Sequence, residues 1–69
     1  MKVNVEFRPR RRPGQVVELA AGATVADLLS KVGEGRDSTL AVRGSDPIPE
    51  DETLREGDDI LLLSAFSGG

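Results

Sequence analysis

The sequence predicts an α+β fold in which one mixed sheet of four to five strands carries one helix across one face. Residues 1–8 and 15–20 alternate apolar and polar side chains with a period of two, which is typical of half-buried strands. Residues 25–32 place apolar side chains three and four residues apart, which is typical of one helix face. Residues 60–63 are apolar without interruption, which predicts a strand that is either central in the sheet or covered by a partner on its second face. We expect these elements to form a single domain over residues 1–65.

The first two predicted strands form a hairpin. Residues 9–14 lie between them and contain two prolines and a glycine, which indicates a turn longer than two residues. The side chains expected on the inner face of the hairpin are Val3, Val5, Phe7, Val17 and Leu19.

The helix has a clear start and stop in the sequence. Thr24 is a suitable N-cap, and Asp27 three residues later resembles the second half of a capping box and favours the positive end of the helix dipole. Gly33 is suited to end the helix. A helix of this length is marginal alone, so it must pack on the hairpin.

Residues 39–43 predict a third strand with Leu40 and Val42 on its inner face. Residues 44–47 indicate a turn. Ile48 follows between two prolines, so any strand there is short and lies at an edge of the sheet.

The last strand, residues 60–65, is expected in the middle of the sheet beside the first strand. A right-handed crossover through the helix would make these two strands parallel. Leu54, in the acidic connection that precedes the last strand, is expected to reach the core.

Composition excludes several classes of function. The chain has 69 residues with no cysteine and no histidine, so disulfides, thiolate zinc sites and iron–sulfur clusters are excluded and the commonest general base is missing. We therefore expect no enzyme, no bound metal and no bound cofactor. Because we find no signal peptide and no long apolar run, we expect a cytoplasmic protein without a membrane segment.

Charge is distributed unevenly along the chain. Residues 1–36 hold seven basic and four acidic side chains, for a charge of +3, whereas residues 37–69 hold two basic and eight acidic ones, for −6. The net charge of −3 does not favour nucleic-acid binding by the whole chain, and the acidic half could attract a basic partner. We expect the protein to be a monomer.

The turn at residues 8–12 contains four arginines, Arg8, Arg10, Arg11 and Arg12. It could bind RNA phosphates or an acidic partner surface. The prolines and the absence of interleaved aromatic residues favour a third interpretation, a solvated hairpin tip.

The chain ends on Gly68 and Gly69, which pack nothing and carry a high conformational entropy. We expect residues 66–69 to form a flexible tail. The hypothesis for function is that the carboxylate of Gly69 is the reactive group, because two glycines can pass through a narrow channel. Residues 67–69 extend at most about 10 Å beyond Phe66, since each extended residue spans about 3.3–3.6 Å. Phe66 could anchor in a partner's groove or pack on the domain edge.

A docking face is predicted beside this tail. If Ile60 and Leu62 point towards the helix, Leu61 and Leu63 point away from it. Leu61 and Leu63, with Ala41 and Arg43 on the neighbouring strand, would then form an apolar patch that binds a partner. The alternative is ordinary exposed apolar surface, which every protein has.

The remaining charged candidates have simpler interpretations. Asp58 and Asp59 are adjacent carboxylates at a predicted turn, where charge is more common than a catalytic pair. Lys2 and Lys31 are the only lysines, so they and the N-terminal amine are the acceptors available for conjugation of the protein to itself.

Four segments together resemble the MoaD/ThiS family of β-grasp sulfur carriers and the small archaeal ubiquitin-like modifiers. They are the helix opening at residues 24–29, the proline-bearing acidic segment 47–51, the turn and strand at 56–63, and the final Gly68-Gly69. The resemblance covers nearly the whole chain and implies a ubiquitin-like β-grasp fold. The arginine-rich turn departs from the family pattern.

The resemblance also implies a mechanism. An adenylating enzyme of the ubiquitin-activating type would bind Phe66, Ser67 and Gly68 and use MgATP to adenylate the carboxylate of Gly69. A sulfur donor would then form a thiocarboxylate, which supplies sulfur for thiamine, molybdopterin or tRNA thiolation. Alternatively, a lysine of a target protein would form an isopeptide bond. The sequence leaves both outcomes open, as well as trimming of a longer precursor. A ubiquitin-like interaction module that is never conjugated is the alternative.

Overall fold

The computed structural model describes residues 1–9 and 12–64. These residues form one sheet of five strands and one α-helix, in the order β1 (Lys2–Arg8), β2 (Gln15–Glu18), α1 (Val25–Val32), β3 (Thr39–Arg43), β4 (Asp46–Ile48) and β5 (Asp59–Ser64). The strands lie in the order β2-β1-β5-β3-β4. The predicted α+β fold with a mixed sheet is therefore confirmed, at five strands.

The first and last strands are neighbours at the centre of the sheet. β1 and β5 are parallel and pair from Asn4↔Asp59 to Arg8↔Leu63, whereas β1 pairs antiparallel with β2. β5 also pairs antiparallel with β3, so it has a strand on each side. β5 is thus central, which is one of the two arrangements that its continuous apolar sequence predicted. Ile60 and Leu62 are buried, whereas Leu61 and Leu63 are half-buried.

The hydrophobic core lies between the sheet and α1. β1, β2 and β5 contribute alternate side chains, and α1 contributes one face. Leu54, from the connection before β5, is 2% exposed, as predicted. The buried core consists of Val3, Val5, Phe7, Val17, Leu19, Ala23, Val25, Leu28, Leu29, Val32, Ala41, Leu54, Ile60 and Leu62.

Helix α1 is capped at both ends as predicted. The Thr24 side chain accepts a hydrogen bond from the backbone N–H of Asp27, and the Asp27 carboxylate accepts one from the backbone N–H of Thr24. Gly33 ends the helix in the left-handed region with φ 79°.

The connection before β5 satisfies the next two N–H groups of the helix. Val25 donates to the carbonyl of Glu52 at 3.0 Å, and Ala26 donates to that of Glu50 at 2.8 Å. The orphan donors of the first turn are thus bound within the chain. This end of the helix is consequently occupied by the protein itself.

The prediction for β3 was wrong in its facing. Leu40 is 43% exposed, and Ala41 is the residue that enters the core, at 2%. The reason is the register with β5, which sets Ala41 opposite the buried Leu62 and Leu40 opposite Leu63. Paired residues of neighbouring strands point to the same side of the sheet, so Leu40 and Val42 lie on the side away from α1.

β4 forms the edge of the sheet beside β3, as the two prolines indicated. The predicted turn over residues 44–47 is shorter than expected. Only Gly44 and Ser45 turn, and Asp46 already pairs with Arg43. No helix in the described part of the chain has the length and apolar character needed to cross a bilayer.

Candidate functional site

The site begins with the side of the sheet that α1 leaves uncovered, which we call the open face. In β5, Ile60 and Leu62 are buried under the helix, whereas Leu61 and Leu63 are half-buried on the open face. Ser64 ends β5 at the edge of the described residues. The tail residues predicted to be functional, Phe66, Ser67, Gly68 and Gly69, lie outside the residues that the structure describes.

Two residues assigned to the docking patch lie on the other face. Ala41 is buried in the core opposite Leu62, and Arg43 pairs in register with the buried Ile60. In antiparallel pairing the residue across from Leu63 is Leu40 and the residue across from Leu61 is Val42. Leu40 and Val42 were not predicted as patch residues, because both were predicted to face inward. Their two-residue spacing places them on one face of β3, so they were misplaced together.

The corrected surface, which we call the apolar patch, consists of Leu40, Val42, Leu61 and Leu63. Leu40 is 43% exposed and Val42 is 8% exposed. Leu40 therefore protrudes from the patch, and Val42 lies at its base. The patch spans the two adjacent strands β3 and β5 and reaches Leu63, immediately before the end of β5. It therefore adjoins the point where the chain continues towards the glycines.

Arg43 has an internal role in place of the predicted partner contact. Its guanidinium donates to Glu52 at 2.9 Å, to Asp58 at 3.0 Å and to the carbonyl of Thr53 at 2.9 Å. The hydrogen bond to Glu52, together with that to Asp58, raises the pKa of Arg43 above its usual value. Arg43 therefore stays charged and holds the connection before β5 against the end of β3.

The two adjacent aspartates also have structural partners. The Asp58 carboxylate accepts a second hydrogen bond, from the backbone N–H of Arg55 at 2.9 Å, and so closes the turn. Asp59 accepts from the side-chain amide of Asn4 at 2.9 Å. Asp58 is therefore a turn residue, as interpreted from the sequence, whereas Asp59 is the first residue of β5. Within residues 1–9 and 12–64, no group of three or more acidic, histidine or cysteine side chains could hold a metal ion.

A polar row on β1 borders the apolar patch. Asn4, Glu6 and Arg8 face the same side as Leu61 and Leu63, since Glu6 pairs in register with Leu61 and Arg8 with Leu63. A shallow depression of ≈ 250 Å³ lies where the row and the patch meet, and its lining includes all three polar residues. The open face is thus apolar over β3 and β5 and charged over β1.

The arginine-rich turn is partly bound to the domain. Arg12 donates to the Glu34 carboxylate at 3.0 Å and to the Val32 carbonyl at 3.1 Å, and its guanidinium lies 4.4 Å from the centre of the Phe7 ring. Arg12 therefore links the turn to the end of α1, where a positive charge favours the helix dipole. Arg10 and Arg11 lie outside the described residues.

Lys2 and Lys31 are both exposed, on different sides of the domain. Lys2 lies at the start of β1, at the end of the sheet opposite to Ser64, and Lys31 lies in the last turn of α1. Their use as conjugation acceptors stays a prediction.

Comparisons with known proteins agree with this architecture. The sequence model of the ThiS family matches residues 1–69. Sulfur carrier protein TtuB from Thermus thermophilus is 32% identical over 53 residues, which are 77% of this chain and 82% of TtuB.

Solved structures of two archaeal proteins resemble the chain over its whole length. SAMP1 from Haloferax volcanii has a TM-score of 0.76 at 19% identity and is covered completely by this chain. The ubiquitin of Caldiarchaeum subterraneum has a TM-score of 0.79 at 23% identity, with 100% of this chain and 98% of that one covered. Likeness at such low identity shows the fold, and the predicted ubiquitin-like β-grasp fold is confirmed.

Proposed function

Because the chain belongs to the ThiS family, whose members are small sulfur carriers and ubiquitin-like modifiers, we propose that it acts through the carboxylate of Gly69. A separate adenylating enzyme activates this carboxylate with MgATP. The activated chain then passes on sulfur or is joined to a lysine of another protein. The domain, residues 1–65, provides the surface that the enzymes bind. The tail, residues 66–69, carries the reacting carboxylate.

The observation that carries the proposal is the position of the apolar patch on β5. Leu61 and Leu63 lie on the same strand that leads to the tail, so a surface that covers the patch also lies at the start of the tail. From Phe66 the tail reaches at most about 10 Å, at about 3.3–3.6 Å per extended residue. That reach is short, so docking on this end of the domain brings the carboxylate close to a nucleotide site.

The chemistry explains why an activating enzyme is required. A carboxylate is a poor electrophile because its charge repels nucleophiles and it has no good leaving group. When a Gly69 carboxylate oxygen attacks the α-phosphorus of ATP, pyrophosphate leaves and an acyl-adenylate forms. Displacement of AMP by hydrosulfide then gives a thiocarboxylate, and displacement of AMP by a lysine amine, which loses a proton, gives an isopeptide.

In these steps the chain itself contributes the surface that its partner binds and the tail that enters the partner's active site. It has no histidine or cysteine that could act as a base or nucleophile at the tail. We propose that the apolar patch binds the activating enzyme and that Phe66, Ser67 and Gly68 lie in its channel. The enzyme that accepts the sulfur, or the target lysine, is the second partner.

Replacement of Leu63 by aspartate should weaken binding to the activating enzyme. A carboxylate at this end of the patch removes apolar contact, loses water when the contact forms and lies beside Arg8, whose charge it can occupy, so we expect Kd to rise by about 10-fold or more. Binding is measured by calorimetry with the activating enzyme from the same cell. Val16→Asp is the matched control, because Val16 is 61% exposed on the same face but lies on β2, away from the patch. An unchanged Kd for the Leu63 variant would remove the apolar patch from the proposal.

Mass spectrometry of the protein from its native cell tests the proposed function and separates its two outcomes. Replacement of one terminal oxygen by sulfur, with labelling by a thiol-reactive reagent, would identify a sulfur carrier. Oxidation of Met1 adds nearly the same mass, which is why the label is needed. The last trypsin site is Arg55, so a conjugated lysine would carry residues 56–69 as its branch. Absence of both species while the activating enzyme is present would favour an interaction module that is never conjugated.

A further inference from the structure

Arg8 differs from most of the other described arginines because it pairs with no carboxylate among residues 1–9 and 12–64. Arg12 pairs with Glu34, Arg36 with Glu50, and Arg43 with Glu52 and Asp58. In the part of the chain that the structure describes, the side chains of Arg8 and Arg55 make no ion pair. Arg8 is exposed on the open face, so its charge is directed outward.

No described side chain around Arg8 compensates its charge. Glu6 is the nearest acidic side chain along the same face of β1, but its carboxylate lies over Gly14, towards β2. A side chain on residue 14 would come within 2.5 Å of the Glu6 Oε2 atom. On the β5 side, the residue paired with Arg8 is Leu63 of the apolar patch. Arg8 therefore lies beside the patch, at the first position of the arginine-rich turn, with no counter-charge among the described residues.

A partner that covers the apolar patch must also accommodate the positive charge of Arg8. A guanidinium at the border of a contact loses part of its hydration, and this loss is offset when the partner provides an acceptor of opposite charge. Arg8 lies at the carboxyl end of β1, which is also the end at which β5 reaches Ser64, because the two strands are parallel. The cation thus marks the end of the patch from which the tail continues.

We propose that the activating enzyme presents a carboxylate to Arg8 beside the apolar surface that covers the patch, and that this pair orients the domain. The inference rests on the proposed function. Apolar contact alone is non-directional, so a domain turned end for end on the patch would send its tail away from the nucleotide site. A charge pair at one end of the patch distinguishes the two orientations, since the turned domain would leave both charges without partners.

The remainder of the open face favours a protein carboxylate over an RNA phosphate. Glu6 and Asp59 are on the same face as Arg8, and the chain carries a net charge of −3, so a polyanion would be repelled. The leucines of the patch would also have no complementary surface on a phosphate backbone. A protein surface can supply both apolar side chains and a single carboxylate.

The test is ATP–pyrophosphate exchange by the activating enzyme with the full chain as the varied substrate. For Arg8→Glu we expect KM to rise about five- to tenfold, because charge reversal replaces attraction by repulsion at the border of the contact. We expect kcat to fall as well, because the variant also binds in the turned orientation, from which its tail does not reach the nucleotide site. Arg8→Lys keeps the charge and should stay within about twofold of the wild type in KM.

Arg55→Glu is the matched control. Arg55 is also exposed and has no ion pair among the described residues, but it precedes β5 at the opposite end of the sheet from Ser64. The control makes the same change in net charge and should leave KM within about twofold of the wild type. Thermal unfolding of each variant checks that the domain stays folded.

The results separate the inference from the proposed function. If the wild-type chain supports no exchange, both are overturned. If the wild type is active but Arg8→Glu leaves KM unchanged, or if Arg55→Glu raises it equally, only the inference about Arg8 is overturned. Salt-sensitive tRNA binding that is lost in Arg8→Glu, with KM unaffected, would also overturn it and assign Arg8 to RNA.

Discussion

Deletion of Gly69 should abolish ATP–pyrophosphate exchange while leaving the domain folded. The shortened chain still ends in a glycine carboxylate, so its chemical nature is unchanged and only its reach is reduced, by about 3.5 Å. Misplacement of a reacting group by about 1 Å can already cost about 100-fold in rate, so we expect a loss of at least that size. The measurement is the exchange rate with the activating enzyme at saturating MgATP.

The deletion variant also provides its own control for docking. Its apolar patch is intact, so it should bind the activating enzyme with nearly the wild-type Kd and inhibit exchange by the full chain competitively. Leu63→Asp should show the opposite behaviour, with weak binding and a weak inhibitory effect. Wild-type exchange by the deletion variant would contradict the assignment of Gly69 as the reactive residue.

Leu62→Ala should remove most of the stability of the domain. Leu62 is 2% exposed at the centre of the sheet, opposite Ala41 and in register with Phe7. Truncation of a buried leucine to alanine costs about 2–5 kcal/mol, whereas a core of this size supplies about 3–5 kcal/mol in total. We therefore expect a substantial unfolded population in water at 25 °C, measured by circular dichroism during urea titration.

The neighbouring residue gives the matched comparison. Leu61→Ala removes the same atoms one position earlier on β5, but from the half-buried side of the strand. We expect it to lower the free energy of unfolding by about 1 kcal/mol or less, because little buried apolar area is lost. Equal destabilisation by the two substitutions would contradict the assignment of the core and open faces of β5.

Local patterns predicted the helix and the strand order well. Thr24, Asp27 and Gly33 act within a few residues of one another, so the capping contacts depend on local sequence alone. The continuous apolar run of β5 predicted a strand that is either central or covered by a partner on its second face, and the central position is confirmed. These features do not depend on which distant residue comes to lie beside them.

The facing of β3 could not be predicted in the same way. Leu40, Ala41 and Val42 are all apolar, so either alternation is consistent with the sequence, and the larger side chains suggested the wrong one. The choice is made by register against β5, and a shift of one residue reverses every side chain of a strand. The methyl of Ala41 fits under the helix while Ile48 of β4 packs against the same core.

Local sequence patterns also could not predict which groups the charged side chains would pair with. Arg43 and Asp58 are 15 residues apart and are joined only after β3, the connection and β5 have come together. Arg43 therefore resembled a surface cation in the sequence, although the fold uses its charge internally. In the sequence Arg8 was grouped with the three other arginines of the turn. The register of β1 with β5 shows that it lies beside Leu63 of the apolar patch.

The parallel pairing of β1 and β5 also determines how the domain responds to mechanical force. Lys2 begins β1 and Ser64 ends β5, so tension between these two points runs along both strands in opposite directions. It loads the hydrogen bonds between the five residue pairs of this register in shear, and they share the load. A hairpin pulled at its open end, such as β3 with β4, would instead unzip one bond at a time. An enzyme that pulls on the tail against a fixed amino-terminal end therefore loads these bonds together and not one after another.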